Sequence, residues 1–178
     1  MNPDDPKAAL LALDAGVRQT GWAIFHSGRQ VTTGLIGIRG RRGIHAPARL
    51  THLVDCLDML VEEWRPAAVA QSRPSGIHWS VPALELLETG LLEWSWRHGL
   101  RIYAYTTQEV RTAATGHPNT SKDELAYAVM AGLGLIGAEK NAHEWEAIAV
   151  GRYHLALRRA KRISAVAPEE LSGEKLSR

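Results

Sequence analysis

LALDAGVRQTGWAI, residues 11–24, is the stretch that predicts the fold, because an apolar run ends in one carboxylate and a glycine turn leads into a second apolar run. The first run has the composition of a buried strand, which would hold Asp14 rigidly at its end. Gly16 and Gly21 would let the backbone turn tightly and bring the second strand alongside. A carboxylate oxygen fixed in this way at a sheet surface is a suitable ligand for a divalent metal ion.

The composition is typical of one folded domain with a substantial core, since 45% of the 178 residues are hydrophobic and 22% are charged. No apolar run approaches the roughly 20 residues of a membrane-spanning helix, and the polar start lacks the features of a signal peptide. We therefore expect a cytoplasmic protein, with a single domain over residues 1–163 and a flexible tail over residues 164–178. The only cysteine, Cys56, excludes an internal disulfide and a cysteine-based zinc site, and its apolar neighbours predict core packing.

The net charge of +2 hides two clusters of basic residues. The first lies in a glycine-rich segment and contains Arg39, Arg41 and Arg42. The second lies near the end of the last predicted helix, over residues 158–162. Either cluster could contact phosphate, and either could be an ordinary solvated surface. The glycine-rich segment is the better candidate for phosphate contacts.

Apolar residues along the rest of the chain predict further strands and helices. Near the start, alternation and turn residues favour three strands in a meander. Farther on, apolar side chains recur every three or four residues, which is typical of helices. The predicted strands span residues 10–14, 22–25, 31–38, 67–70 and 100–105. The predicted helices span residues 50–64, 81–98, 107 onward, 121–134 and 142–163, with a loop at residues 71–80.

This order of elements predicts an α/β fold with a five-stranded mixed sheet and helices on both faces. The order and several sequence motifs together resemble the RuvC-type Holliday-junction resolvases of the ribonuclease H-like (retroviral integrase) superfamily. The motifs are LALDAGVRQTGWA at residues 11–23, AVAQ at 68–71 after an Arg-Pro pair, AL through Gly at 83–90, TAATG at 112–116 after residues 105–110, SKDEL at 121–125 and HEWEAIA at 143–149.

The resemblance implies metal-dependent hydrolysis of phosphodiester bonds at four-way DNA junctions. Two divalent ions, Mg²⁺ or Mn²⁺, would lie roughly 4 Å apart among converging carboxylates, with Asp14 bridging them. His143 and Glu146 would be further ligands, since residues three apart share one side of a helix. Glu146 replaces the more usual aspartate of the family. Glu144 points about 100° away from His143 and ranks lower as a ligand.

Asp14 and His143 could also have purely structural roles. Asp14 could be an ordinary turn aspartate after a strand. His143 could be a helix N-terminal histidine that is hydrogen-bonded only to its neighbours.

One carboxylate of the family's site is missing. The family places a glutamate on the strand after Pro66, and the corresponding position in Ala-Val-Ala-Gln is Ala70. Gln71 cannot replace it, because successive strand side chains point to opposite faces and an amide carries no charge. The absence is either native or the result of replacing a glutamate by alanine, and the intact Asp14, His143 and Glu146 favour a replacement. In both cases we expect binding of DNA to survive and hydrolysis to fall by several orders of magnitude.

Other residues are candidates for contacts with DNA. In the resembling family the loop after this strand inserts an aromatic side chain into the opened junction, and here Arg73, His78 and Trp79 offer an aromatic surface beside a positive charge. Trp79 could equally pack beneath the next helix. Lys122 follows Ser121 in a predicted capping box with Glu124, where helix N-terminal amides could help it bind a phosphate, or it could be simply solvated.

A four-way junction has two-fold symmetry, so a homodimer is the simplest arrangement for nicking opposite strands. Trp94 and Trp96 on the predicted helix at residues 81–98 could bury themselves in a dimer interface or in the monomer core. The alternative function is a non-catalytic protein with the same fold that binds branched DNA or acts as a scaffold. A sugar-kinase or actin-type ATPase would need a second domain, for which 178 residues leave no room.

Overall fold

A computed structural model describes residues 8–37, 45–73 and 81–166 of the chain. The described residues form five strands and five helices in the predicted order. The strands are β1 (Leu10–Asp14), β2 (Gln19–His26), β3 (Arg29–Gly37), β4 (Ala68–Arg73) and β5 (Arg101–Thr106). The helices are α1 (Ala46–Trp64), α2 (Pro82–Arg97), α3 (Thr107–Thr115), α4 (Lys122–Leu133) and α5 (Ala142–Val166).

The strands form one mixed sheet in the order β3-β2-β1-β4-β5, which confirms the predicted fold. The first three strands pair antiparallel, and β4 and β5 run parallel to β1. Helices cover both faces. On one face α5 lies across β1, β2 and β4 with α3 and α4 beside it, and on the other face lie α1 and α2. None of the helices among the described residues is both long and apolar enough to cross a membrane.

Alternation along β1 decides which residues face α5. Leu11 and Leu13 are fully buried towards α1 and α2, whereas Leu10 and Ala12 pack on the α5 side. Asp14 therefore ends the strand on the α5 side, because side chains two residues apart point to the same face. The small residues on this side let α5 approach closely, since a Cβ added at Gly151 would lie 2.1 Å from the ring of Phe25.

Strand β4 and helix α5 extend beyond their predicted ends, and β2 and α1 begin before their predicted starts. Residues 71–73 were predicted as a loop, but they continue β4, because Gln71 and Ser72 pair with β1 on one side and with β5 on the other. The backbone hydrogen bonds of two neighbouring strands override the polar character of this segment. Helix α5 continues three residues beyond the predicted end, and the rest of the predicted tail, residues 167–178, lies outside the described residues.

Helices α3 and α4 both begin with a capping box. Ser121 and Glu124 form the predicted capping box at the start of α4, and Thr106 with Glu109 forms another at the start of α3.

Cys56 lies half-buried at the edge of the α1–α2 core rather than inside it, with its Sγ 3.8 Å from Nε2 of His52.

His154 on α5 is a buried histidine beneath the edge of the sheet. Its Nδ1 lies 2.7 Å from the hydroxyl of Tyr105, and its ring contacts Tyr103 with the ring centres 4.6 Å apart. Its Nε2 is buried and has no hydrogen-bond partner among the described residues. Burial, reinforced by the charges of Arg158 and Lys161, lowers the pKa of His154 from 6.5 to about 4.

This lowered pKa makes the folded state less stable in mild acid. The unfolded chain binds a proton at this residue near pH 6.5, whereas the folded chain excludes the proton until about pH 4. His154 therefore costs the folded state no stability above pH 6.5, and the cost grows as the pH falls below that value. Between pH 7 and pH 5 we expect the free energy of unfolding to fall by about 1–2 kcal/mol more in the wild type than in His154→Gln. Urea unfolding at both pH values measures this difference. Equal pH dependence in the two proteins would contradict the assignment.

Candidate active site

Three side chains meet where β1 ends and α5 begins. Nδ1 of His143 donates a hydrogen bond to Oδ2 of Asp14 over 2.6 Å, and the same nitrogen lies 3.7 Å from Oε2 of Glu146. One ligand atom from each of the three residues lies within 4.8 Å of the others. The structure thus brings together the three residues that the sequence predicted as metal ligands, and we call them the acidic cluster.

Gly21 on β2 allows α5 to begin this close to the sheet. A Cβ at residue 21 would lie 1.9 Å from the carbonyl oxygen of His143 and 2.8 Å from the backbone nitrogen of Glu144. No side chain fits there, so the backbone of the first helical turn rests directly on β2. Since His143 belongs to that turn, Gly21 sets how near its ring lies to Asp14.

Glu144 fixes the same turn from the other side. Its Oε1 accepts a hydrogen bond from Thr33 on β3 over 2.9 Å, and its Oε2 accepts one from the backbone nitrogen of Asn141 over 2.9 Å. Lys140 donates to the Thr33 hydroxyl over 2.8 Å. Glu144 is therefore directed towards β3 and not into the acidic cluster, in agreement with its lower rank as a ligand.

Ser72, and not Ala70, is the β4 residue beside Asp14. In the parallel register Asp14 is opposite Ser72, whereas Ala70 is opposite Ala12. The Ser72 hydroxyl donates to Oδ1 of Asp14 over 2.5 Å.

The structure therefore corrects the prediction at Ala70. This residue is fully buried in the apolar core beneath α5, so a glutamate there would place its carboxylate among apolar side chains. The explanation that a glutamate was replaced by alanine loses its basis. A motif of four residues does not specify which of them lies opposite Asp14, because that depends on the pairing of two strands.

The carboxylate of Glu146 is held by two positively charged side chains. Nη2 of Arg111 on α3 lies 3.1 Å from Oε1, and Nζ of Lys122 on α4 lies 3.1 Å from Oε2. The sequence prediction missed Arg111, and no spacing signal linked it to Glu146, which lies 35 residues further along the chain. Lys122 was predicted to contact phosphate, and the structure places its amino group at the acidic cluster.

The two carboxylates differ in how readily they take up a proton. Burial alone would raise the pKa of Asp14, but hydrogen bonds from His143 and Ser72 outweigh burial and lower it. Burial raises the pKa of Glu146, the negative charge of Asp14 adds to this effect, and Lys122 opposes it. Asp14 therefore keeps its charge more firmly, and Glu146 is the first of the pair to be protonated as the pH falls.

The acidic cluster offers a donor set that fits a divalent cation. Two carboxylates and one imidazole nitrogen converge from the end of one strand and one helical turn, and all three are at least partly buried. Carboxylate oxygens suit Mg²⁺ and Mn²⁺, and an imidazole ligand suits transition metals.

The other residues predicted to contact DNA lie elsewhere or are not described. Arg73 is exposed at the end of β4, where its carbonyl accepts a hydrogen bond from Thr107. The positions of Arg41, Arg42, His78 and Trp79 lie outside the described residues.

Replacing Gly21 by alanine tests the contact between α5 and β2. We expect Gly21→Ala to lower the free energy of unfolding by about 1–3 kcal/mol and to weaken Mn²⁺ binding, because the first turn of α5 must move away from Asp14. Urea unfolding and titration calorimetry with MnCl₂ measure the two effects. Gly37→Ala on β3 is the matched control, since its Cβ would meet the flexible side chain of Gln19 at 3.3 Å. Equal effects of the two substitutions would contradict the role of Gly21.

Comparison with known proteins places this chain in a family. The family model described as crossover junction endodeoxyribonuclease RuvC matches residues 10–154. The protein of that name from Wolinella succinogenes is 30% identical over 152 residues, which cover 82% of this chain and 92% of that protein.

Solved structures share the fold. The Thermus thermophilus RuvC structure has a TM-score of 0.69 at 21% identity, and the T. thermophilus RuvC complex with a Holliday junction substrate has a TM-score of 0.71 at 20% identity. Each covers 86% of this chain and 96% of the matched chain. Since the family model spans nearly all of the described residues, this chain belongs to the RuvC family of crossover junction endodeoxyribonucleases.

Proposed function

We propose that the protein is an endonuclease that cleaves four-way DNA junctions by hydrolysis that depends on a divalent cation. The observation that carries this proposal is the convergence of Asp14, His143 and Glu146 within 4.8 Å in a chain of the RuvC family. A further support is the fold that the chain shares with a RuvC protein solved in complex with a Holliday junction.

Asp14, Glu146 and Nδ1 of His143 would hold the cation, which we propose to be Mg²⁺ or Mn²⁺. A bound divalent ion lowers the pKa of water and stabilises the charge on a leaving oxygen. Asp14 is well suited to this role, because the hydrogen bonds that lower its pKa keep it ionised. To hold a cation through Nδ1, His143 would have to give up its hydrogen bond to Asp14.

Arg111 and Lys122 would act on the phosphate and on Glu146. The side chain of Arg111 is 20% exposed, so its main effect is to orient the carboxylate of Glu146. The side chain of Lys122 is 48% exposed, so its ammonium can leave Glu146 and contact a phosphate at the cluster. A cation in this position offsets the negative charge of the DNA backbone and of the two carboxylates.

A second candidate function is binding of branched DNA without cleavage. Two observations favour it. The β4 residue beside Asp14 is a serine, and both oxygens of Glu146 already accept hydrogen bonds from the positively charged side chains of Arg111 and Lys122. Both features reduce the negative charge available to a metal ion.

Neutralising Asp14 distinguishes the two functions. We expect the wild type to nick a synthetic four-way junction symmetrically in MgCl₂ or MnCl₂, and Asp14→Asn to nick it more than about 100-fold more slowly. Loss of a direct ligand should exceed the 10–100-fold cost of losing a supporting contact. Junction binding, measured by gel shift in EDTA, should be kept. Asp123→Asn, which removes the same charge at an exposed position of α4, should cleave like the wild type.

The binding and cleavage assays together separate a junction nuclease from a protein that only binds branched DNA. Tight junction binding by the wild type with no cleavage in either metal would support the second function. Equal affinity for a linear duplex and a four-way junction would overturn both.

We also propose that the protein forms a homodimer through α2. Leu92 and Trp96 lie one turn apart on this helix and are 53% and 85% exposed, so they form an apolar patch on its outer side. Trp94, by contrast, is fully buried and donates a hydrogen bond to Asp58 over 2.8 Å. Of the two tryptophans predicted for either a core or an interface, Trp94 thus belongs to the core and Trp96 is free for the interface. A two-fold interface also suits a substrate with two-fold symmetry.

A charge at Trp96 should disrupt this dimer. We expect analytical ultracentrifugation to show twice the chain mass for the wild type and the single chain mass for Trp96→Glu. Tyr127→Glu, which changes an aromatic residue 65% exposed on α4, should stay dimeric. A monomeric wild type, or a dimeric Trp96→Glu, would show that α2 is not a dimer interface.

A further inference from the structure

We propose that Ser72 limits the acidic cluster to one divalent cation, and that a carboxylate at residue 72 would let it hold two. The inference rests on the proposed function, because it concerns the number of cations at the same site. It differs from the expectation of two ions that the sequence suggested.

The strand pairing makes residue 72 part of the site. Ser72 is directly opposite Asp14 in the parallel register of β1 and β4, and neighbouring strands lie about 4.8 Å apart. The two side chains point to the same face, as their 2.5 Å hydrogen bond shows. Residue 72 is therefore within reach of any cation that Asp14 binds.

Serine, however, contributes no negative charge to offset a second cation. Sites for two divalent ions depend on several carboxylates that converge and share the ions. The Ser72 hydroxyl is neutral, and it donates its proton to Oδ1 of Asp14. That oxygen is the one that would have to bind a second ion while Oδ2 stays with the first.

The charge balance leads to the same conclusion. Asp14 and Glu146 contribute two negative charges, and Arg111 and Lys122 contribute two positive charges, so the formal sum with neutral His143 is zero. One divalent cation brings the sum to +2 and a second would bring it to +4. Charges at such distances repel strongly in a partly buried site, so the second cation is disfavoured.

A carboxylate at residue 72 would reverse this balance. In Ser72→Asp or Ser72→Glu the added charge lies beside Asp14, which destabilises the metal-free protein by repulsion and stabilises the form with two cations. Cation binding should consequently raise the melting temperature more in these variants than in the wild type, since a ligand stabilises the state that binds it.

The test counts bound Mn²⁺ on the full-length protein without DNA. Calorimetric titration with MnCl₂ should give one ion per chain for the wild type and for Ser72→Ala, and two for Ser72→Asp or Ser72→Glu. Electron paramagnetic resonance should show an exchange-coupled pair of Mn²⁺ ions only in the carboxylate variants. Circular dichroism with and without MnCl₂ verifies that each variant is folded. Cleavage of a four-way junction should rise at least about 10-fold in a variant that binds two ions.

Each outcome decides between the two proposals. Two Mn²⁺ ions in the wild type would overturn the role of Ser72 and leave the proposed nuclease function intact. A single ion in both folded carboxylate variants would also overturn it. No Mn²⁺ binding by the wild type would overturn the cation site of the proposed function itself, and so would binding that Asp14→Asn does not weaken.

Discussion

The close contact between the first turn of α5 and β2 is the constraint on which the acidic cluster depends. Gly21 leaves space for the backbone of His143 beside β2, and the hydrogen bond that Thr33 donates to Glu144 holds the same turn against β3. His143 and Glu146 lie on that helix, whereas Asp14 is fixed at the end of β1. A shift of α5 along the sheet would therefore separate both His143 and Glu146 from Asp14 at once.

Electrostatics explains how this site is stable before any cation binds. Two carboxylates in partly buried surroundings would repel each other, but His143 and Ser72 donate to Asp14, and Arg111 and Lys122 donate to Glu146. Buried charges are tolerated when each is paired and hydrogen-bonded. The same pairing means that a metal ion would have to compete with these donors for the two carboxylates.

The local patterns in the sequence predicted most of the fold and part of the site. Alternation marked the buried strand before Asp14, three-residue spacing put His143 and Glu146 on one side of a helix, and the capping box located the start of α4 near Lys122. Each of these signals lies within a few neighbouring residues, where the periodicity of a strand or a helix decides the outcome. Arg111 carried no such signal, because its partner Glu146 is distant along the chain.

The sequence by itself determined which residues end the first strand and begin the last helix, since strand alternation and helix spacing are local properties of the chain. Only the tertiary structure decided that Ser72 rather than Ala70 lies beside Asp14. The physical reason is that the register of β1 and β4 follows from hydrogen bonds between strands far apart in sequence, and a change of two residues in register keeps the same face. A motif in one strand is compatible with either register, so only the observed pairing of β1 with β4 identifies the residue beside Asp14.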